Sequence, residues 1–183
     1  MEKKLATFAG GCFWCMVAAF ESLLGAESVT AGFTRGTEEN PSYVDVVMVG
    51  NTGHIEAIQV IYQPTLCSYE KLLNLYWRQI DPTDNGGQFT ERGFIYSTAI
   101  FYHSEEQRLL AEQSKKNLQE SGVFCKPIVT EILPAMPFYP AEEFHQGYHK
   151  KNPEFYCQYR SETGRDDFIE KIWSPGKNEE KVK

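Results

Sequence analysis

The sequence predicts an α+β fold in which helices pack on a mixed sheet. Three observations carry this. Strand-like and helix-like stretches alternate early in the chain. Two strongly alternating apolar runs, "YVDVVMV" and "HIEAIQVIY", stand side by side across "GNTG", the pattern of a hairpin. Glycine and proline punctuate the remainder, so the segments between them are short and distinct. Alternation followed by hairpin-linked strands argues against a doubly wound parallel sheet.

Taken in order, Lys4 to Ala9 reads as a strand running into Gly10 and Gly11. A helix begins near Cys12 and stops at Gly25, whose freedom at positive φ suits the residue after a helix end. Val29 to Phe33 is strand-like, and "NPSY" at 40–43 makes a turn with Pro41 at its first central position. In the second alternating run Glu56, Ile58, Val60 and Tyr62 share one face, with Ile55, Ala57, Gln59 and Ile61 on the other. Ser68 opens a helix carrying Leu72, Leu75, Tyr76 and Gln79 on one side. The polar stretch 81–93 is long enough to suggest function. "YSTAIFYH" returns as a strand, and "SEEQ" is a capping box with Ser104 at N-cap and Gln107 at N3. That helix runs to Ser121. "PIVTEIL" is a further strand, followed by a proline-marked stretch and a short helical piece around Glu142 to Tyr148.

With 183 residues, the chain suits a single domain at 1–173, and the charged end 174–183 reads as a disordered tail or the start of a linker. Hydrophobic residues make up 42% and aromatics 14%, an aromatic excess that fits a dense core or the walls of a site. A net charge of −7 without a basic stripe argues against nucleic acid and anionic membranes as partners. The apolar stretch after the first lysines, Leu5 to Ala9, is too short for a signal sequence, and nothing approaches a membrane span. A cytoplasmic chain is expected. Its five scattered cysteines do not suggest a disulfide framework. One Cys-x-x-Cys pair supplies only half of a zinc site, so no metal is expected.

The chemistry concentrates in "AGGCFWCM" at 9–16. Cys12 follows a strand and two glycines, in the first turn of a helix, where free backbone N–H groups and the helix dipole favour an anion. That setting predicts a thiol shifted toward thiolate, hence a nucleophile. The glycines leave room for a substrate to approach. Beside such a thiol, Phe13 and Trp14 make an apolar wall, which suits a reacting atom bearing a small apolar group.

"GCFWC" closely resembles the signature of the A-type peptide methionine sulfoxide reductases. The segments "NPSY", "TGHIEA", "DPTD…GQF…RG..Y", "AIFYH", "KPIVTEI", "FYPAEEFHQGYHKKNP" and "YCQYR" follow in the order seen in that family, so that the likeness covers residues 5 to 173. The resemblance implies a two-layer α/β sandwich around a mixed sheet, with a ferredoxin-like core and a C-terminal coil. It implies reduction of methionine S-sulfoxide, free or in proteins, without a cofactor and with thioredoxin as electron donor. Residue by residue, Cys12 matches the nucleophile, Phe13 and Trp14 the pocket for the substrate methyl, and Glu56 the acid beside the sulfoxide oxygen. Tyr43 and Tyr96 match the tyrosines that hydrogen-bond that oxygen, while Glu91 stands where the family commonly has Asp. His145, Tyr148 and Tyr156 border the site. Cys157 matches a recycling cysteine of the C-terminal segment. Cys15 stands where many members have Gly and is the second candidate to resolve an oxidised Cys12, with Cys157 preferred.

The physics of the reaction fits these residues. Sulfoxide reduction needs a soft nucleophile at sulfur and a proton for the departing oxygen. Glu56 can hold that proton near neutral pH if burial raises its pKa. Two other readings of the thiol pair are a thioredoxin-like disulfide oxidoreductase and a non-enzymatic module in which Cys12 and Cys15 hold a metal or partner.

Overall fold

A computed structural model describes residues 2–174, so residues 175–183 of the expected charged tail lie outside the described residues. Strand β1 (Lys4–Gly10) passes through Gly11 and Cys12 into helix α1 (Phe13–Phe20), and β2 (Ala26–Thr34) follows. A π-helical stretch (Val44–Val49) precedes β3 (Ile55–Tyr62) and α2 (Tyr69–Gln79). Two short strands, β4 (Gly87–Gln88) and β5 (Glu91–Arg92), pair with each other before a 3-10 turn (Phe94–Tyr96) and β6 (Thr98–Tyr102). Then come α3 (Glu105–Glu120), β7 (Glu131–Pro134), β8 (Phe138–Pro140), a second 3-10 turn (Glu143–His145), α4 (Tyr148–Lys151), α5 (Pro153–Glu162) and α6 (Arg165–Trp173).

The six-stranded sheet has the order β7-β6-β1-β3-β2-β8. It is mixed, because β6 and β7 run parallel while the other neighbours are antiparallel. Its centre, with strands β6-β1-β3-β2 and helices α1 and α2, is the expected ferredoxin-like α+β core. The face of β3 bearing Ile58, Val60 and Tyr62 packs in the main core with Phe13, Met16, Val17 and Phe20 of α1 and Leu72, Leu73 and Tyr76 of α2. Ile55 and Ala57 belong to a smaller cluster with Ala9, Ala99 and Phe101, as the alternation of side chains requires. Phe8 centres the main core, with ring centroids 5.3 Å from Phe20 and 5.1 Å from Tyr76. Tyr76 satisfies its buried hydroxyl by donating to the Ala9 carbonyl at 2.8 Å.

The caps behave as their chemistry demands. Ser68 Oγ accepts from the Lys71 amide and Ser104 Oγ from the Gln107 amide. Gln107 reaches back to the His103 amide at 2.8 Å, one residue before the cap. Helix α1 ends earlier than expected, at Phe20, and the chain turns until Gly25 at φ 97°.

Three expectations are corrected. "YVDVVMV" forms the π-helical stretch, so the hairpin with β3 is not made, and β2 takes that place. Local polar bonds override the β-branched propensity here. Ser42 donates its amide to Asp45 Oδ2 at 2.9 Å, the Asp45 amide returns to Ser42 Oγ at 3.2 Å, and Gly50 closes the turn at φ 70°. Only Val46 of the run is buried. "PIVTEIL" pairs only from Glu131 onward. The C-terminal stretch expected as coil is instead helical in α4, α5 and α6, with Pro153 at the start of α5 and Gly147 and Gly164 in left-handed turns.

Gly32 of β2 faces Pro140 of β8, and a Cβ there would lie 2.4 Å from the Tyr139 carbonyl oxygen and 2.5 Å from the Phe138 ring. Gly32→Ala is therefore expected to cost about 1–3 kcal/mol of stability by forcing β8 off the sheet edge, read as a lower urea midpoint.

Candidate active site

The end of β1 and the start of β3 are neighbours, because the register pairs Phe8 with Ile58. Helix α1 starts at that junction, and Cys12 is its N-cap residue with φ −52° and ψ 122°, still outside helical dihedrals. Its side chain makes no capping bond. The first amides of the helix are taken by two carboxylates instead. Cys12 N–H donates to Glu91 Oε2 at 3.1 Å, and Phe13 N–H donates to Glu56 Oε2 at 2.8 Å.

Around this junction lies a cleft of about 410 Å³, lined by Cys12, Phe13, Trp14, Tyr43, Glu56, Thr90, Glu91, Arg92, Tyr96 and Tyr159. All seven residues expected as nucleophile, acid or substrate wall thus meet in one place. The walls are aromatic. Trp14 stacks on Tyr148 with centroids 3.9 Å apart and planes 6° apart, and meets Tyr159 edge-on. Phe13 packs against Phe33 and the His145 ring, and Tyr43 lies 4.4 Å from that ring. His145 is buried behind the wall rather than in the cleft, accepting the Trp14 indole N–H on Nδ1 at 3.1 Å. Burial lowers its pKa. Tyr156 is likewise buried behind the site, while Cys157 on the same helix is exposed.

Glu56 is 2% exposed, and burial raises its pKa to about 8 against the opposing amide bond from Phe13. Burial also raises Tyr43 to about 12. The Cys12 thiol departs from expectation. Burial, its hydrogen bond to Cys15 and the nearby glutamates raise its pKa well above the usual value, so the resting group is a thiol, not a thiolate. Burial is the largest of these causes, and the two glutamates that accept from the Cys12 and Phe13 amides add their charge to it. Of the pair, Cys15 is the acidic one, lowered to about 7 mainly by that hydrogen bond and also by Arg165 and Arg160.

The glycines have another purpose than substrate access. A Cβ on Gly10 would lie 2.8 Å from Met16 Sδ, and one on Gly11 would lie 2.7 Å from Gln88 Cβ and 2.9 Å from Arg165 Nη2. They admit the protein's own side chains beneath Cys12, and Gly11 also has φ 76°.

Sequence reasoning missed Thr90, Arg92, Tyr159 and Arg165. Arg92 is held by Asp84, with Nη2 to Oδ1 at 2.9 Å. Tyr159 donates its hydroxyl to Glu91 Oε1, and Arg165 Nη2 stands 3.6 Å from Glu91 Oε2. Tyr156, Tyr159 and Arg160 recur at i, i+3 and i+4, a helical spacing that marks an inward face. Among the described residues, no group of three or more His, Cys, Asp or Glu side chains could hold a metal ion. No helix there is long and apolar enough to cross a membrane.

The family model for peptide methionine sulfoxide reductase matches residues 4–177. The peptide methionine sulfoxide reductase MsrA of Bacillus licheniformis is 59% identical over 172 residues, which cover 94% of each chain. Among solved structures, Mxr1 from Saccharomyces cerevisiae in its reduced form superposes with a TM-score of 0.77 at 31% identity, covering 84% of this chain and 87% of that one. Mxr1 in complex with Trx2 superposes with a TM-score of 0.56 at 26% identity, covering 80% and 85%. On the sequence match over nearly its whole described length, the chain belongs to the peptide methionine sulfoxide reductase family.

Proposed function

We propose that this chain reduces methionine S-sulfoxide, free or in proteins, by direct attack of Cys12 on the sulfoxide sulfur, with Glu56 as proton donor. The observation that carries the reading is a buried carboxyl with a pKa near neutrality, bonded to the amide that follows Cys12, inside an aromatic-walled cleft. The family model and the relatives' names support the same substrate.

The methyl group of the substrate lies against Phe13 and Trp14, and its oxygen points to Glu56, Tyr43 and Tyr96. Cys15, the more acidic thiol, takes the Cys12 proton as Cys12 sulfur bonds to the sulfoxide sulfur. Glu56 gives its proton to the oxygen. The hydroxyl then passes from the substrate sulfur to the Cys12 sulfur as the bond between the two sulfurs breaks, so methionine leaves with two more electrons at its sulfur and Cys12 is a sulfenic acid. Phenols at Tyr43 and Tyr96 serve as donors throughout, since burial keeps both protonated.

We assign the resolving role to Cys15 instead of Cys157. Cys15 is buried next to Cys12, whereas Cys157 is exposed on α5, about 160° around the helix from the cleft residue Tyr159. Cys12 has already left helical dihedrals, so closing the pair need not unwind a regular turn. Thioredoxin then reduces the disulfide, a role supported by the Mxr1–Trx2 complex. The cytoplasm is the proposed location, in keeping with five free cysteines.

Turnover on separated epimers of a methionine sulfoxide peptide tests the assignment: consumption of S alone is expected, and appreciable turnover of R refutes it. Cys12→Ser is expected to be inactive on either. Because the acid form of Glu56 is the working one, the rate of methionine release should fall as pH rises through about 8, and Glu56→Gln should lose this limb together with about 10²–10⁴ of the rate. Cys15→Ser should still release one methionine per chain, more slowly for want of the neighbouring base, but fail under thioredoxin recycling, measured as a single release without steady turnover.

A further inference from the structure

Arg165 is the largest fully buried side chain of the described residues. Its Nη1 donates to the Gln79 carbonyl at 2.6 Å, and both terminal nitrogens reach the Gly10 carbonyl at 3.2 Å. Its face covers the Phe89 ring at 4.8 Å. Carbonyls orient a guanidinium without neutralising it, and the one carboxylate within 4 Å among the described residues, Glu91 at 3.6 Å, already accepts from Cys12 N–H and Tyr159. A buried cation held in this way is costly, and a core filled by apolar groups would avoid the expense. Beside it, Arg160 donates through Nη1 to the Cys15 carbonyl at 3.4 Å and the Tyr156 hydroxyl at 3.3 Å. Its Nη2 meets Gln79 Oε1 at 3.3 Å, and its Nε is anchored by Asp166 at 2.8 Å. Two guanidiniums from α5 and α6 therefore bracket the turn that carries Cys15. Neither touches the cleft.

We propose that Arg160 and Arg165 are positioning residues for the second half of the reaction, fixing the Cys15 turn and supplying the positive field in which its sulfur attacks the Cys12 sulfenic acid. The inference rests on the reading of Cys12 and Cys15 as the reacting pair. In this step the Cys15 thiolate bonds to the Cys12 sulfur, the S–O bond breaks, and the departing hydroxide takes a proton to leave as water. The two electrons needed to reopen the disulfide come from the external dithiol. The charged and titratable groups facing Cys15 are Cys12 and Glu91 near the helix start, Glu56 on β3, Tyr156 and Arg160 on α5, and Arg165 on α6. Only the two arginines favour the anion among the ionised ones.

The test is single turnover without reductant, followed by acid quench, thiol alkylation and peptide mapping, across a range of pH. Arg160→Gln, at a partly exposed position, is expected to release its full one methionine per chain, and closure is timed from that release so that any slowing of the first step by a less acidic Cys15 is read separately. Its disulfide should close roughly three- to ten-fold more slowly at about pH 7, the gap vanishing near pH 9 where the thiol ionises unaided. Arg165→Lys, which keeps the charge in the buried site, should close faster than Arg165→Gln at about pH 7. Closure at the unaltered rate in Arg160→Gln, or slowing by the same factor at every pH, overturns the proposal while leaving the Cys12–Cys15 pairing standing. A Cys12–Cys157 crosslink in the unaltered chain, or disulfide closure in Cys15→Ser, overturns the pairing and the proposal with it.

Discussion

The amides of Cys12 and Phe13, where the chain enters α1, each bind a carboxylate, and the rest of the site depends on that arrangement. A helix N-terminus offers a fixed amount of positive potential. Here it is spent on Glu91 and Glu56, which arrive from β5 and β3, and not on the thiol at the N-cap. The consequence is an unusual distribution of protons in a small volume. Cys12 keeps its proton because it is buried among acids, and Glu56 keeps its own for the same reason. The anion that the pair of thiols can support moves to Cys15, toward the arginines of the C-terminal helices. Under the proposed reading, such a site holds a nucleophile, a base next to it, and an acid at the cleft.

The fold makes this arrangement hard to alter piecemeal. The β1–β3 register that pairs Phe8 with Ile58 brings the end of one strand to the beginning of the other, and Glu56 shares a face with Ile58 and Val60. A slip by one residue would send that carboxyl to the opposite side of the sheet. Gly11 leaves no room for a side chain, because Gln88 and Arg165 occupy the space where a Cβ would project. The turn carrying Cys12 is therefore seated from below by a glutamine of the β4–β5 ladder and an arginine of α6, elements distant in sequence.

Much of this was legible from residue types and spacing. Cys12, Phe13, Trp14, Tyr43, Glu56, Glu91 and Tyr96 meet as expected, because local signals and motif order both point to them. What was missed has specific causes. The run at 44–49 alternates like a strand, but its outcome is decided by the Ser42–Asp45 bonds and Gly50, which periodicity does not register. Tyr159 and Arg165 escaped because the C-terminal stretch was read as coil, so that the inward spacing of Tyr156, Tyr159 and Arg160 was not used. The protonation of Cys12 is beyond any local reading. It depends on burial by the whole fold and on two carboxylates that lie 43 and 79 residues along the chain from the amides they accept from.

Burying two carboxyls, two thiols and a guanidinium at one spot opposes folding, so the stabilising interactions must lie elsewhere. They lie farther along the same sheet face, where Phe8 is enclosed by Phe20, Tyr69 and Tyr76, and where Leu72, Ile58 and Val60 complete an apolar layer. Each large side chain buried there contributes about 1.5–3 kcal/mol. Helix α1 joins the two regions: Met16, Val17 and Phe20 anchor its body in the apolar layer, while its first turn carries the polar groups. Because the body is fixed by packing, the first turn is held where it cannot relax toward a more comfortable charge distribution. The perturbed protons of the site are thus maintained by the core beyond it, and a mutation in that core would be felt in the chemistry through the position of one helix end.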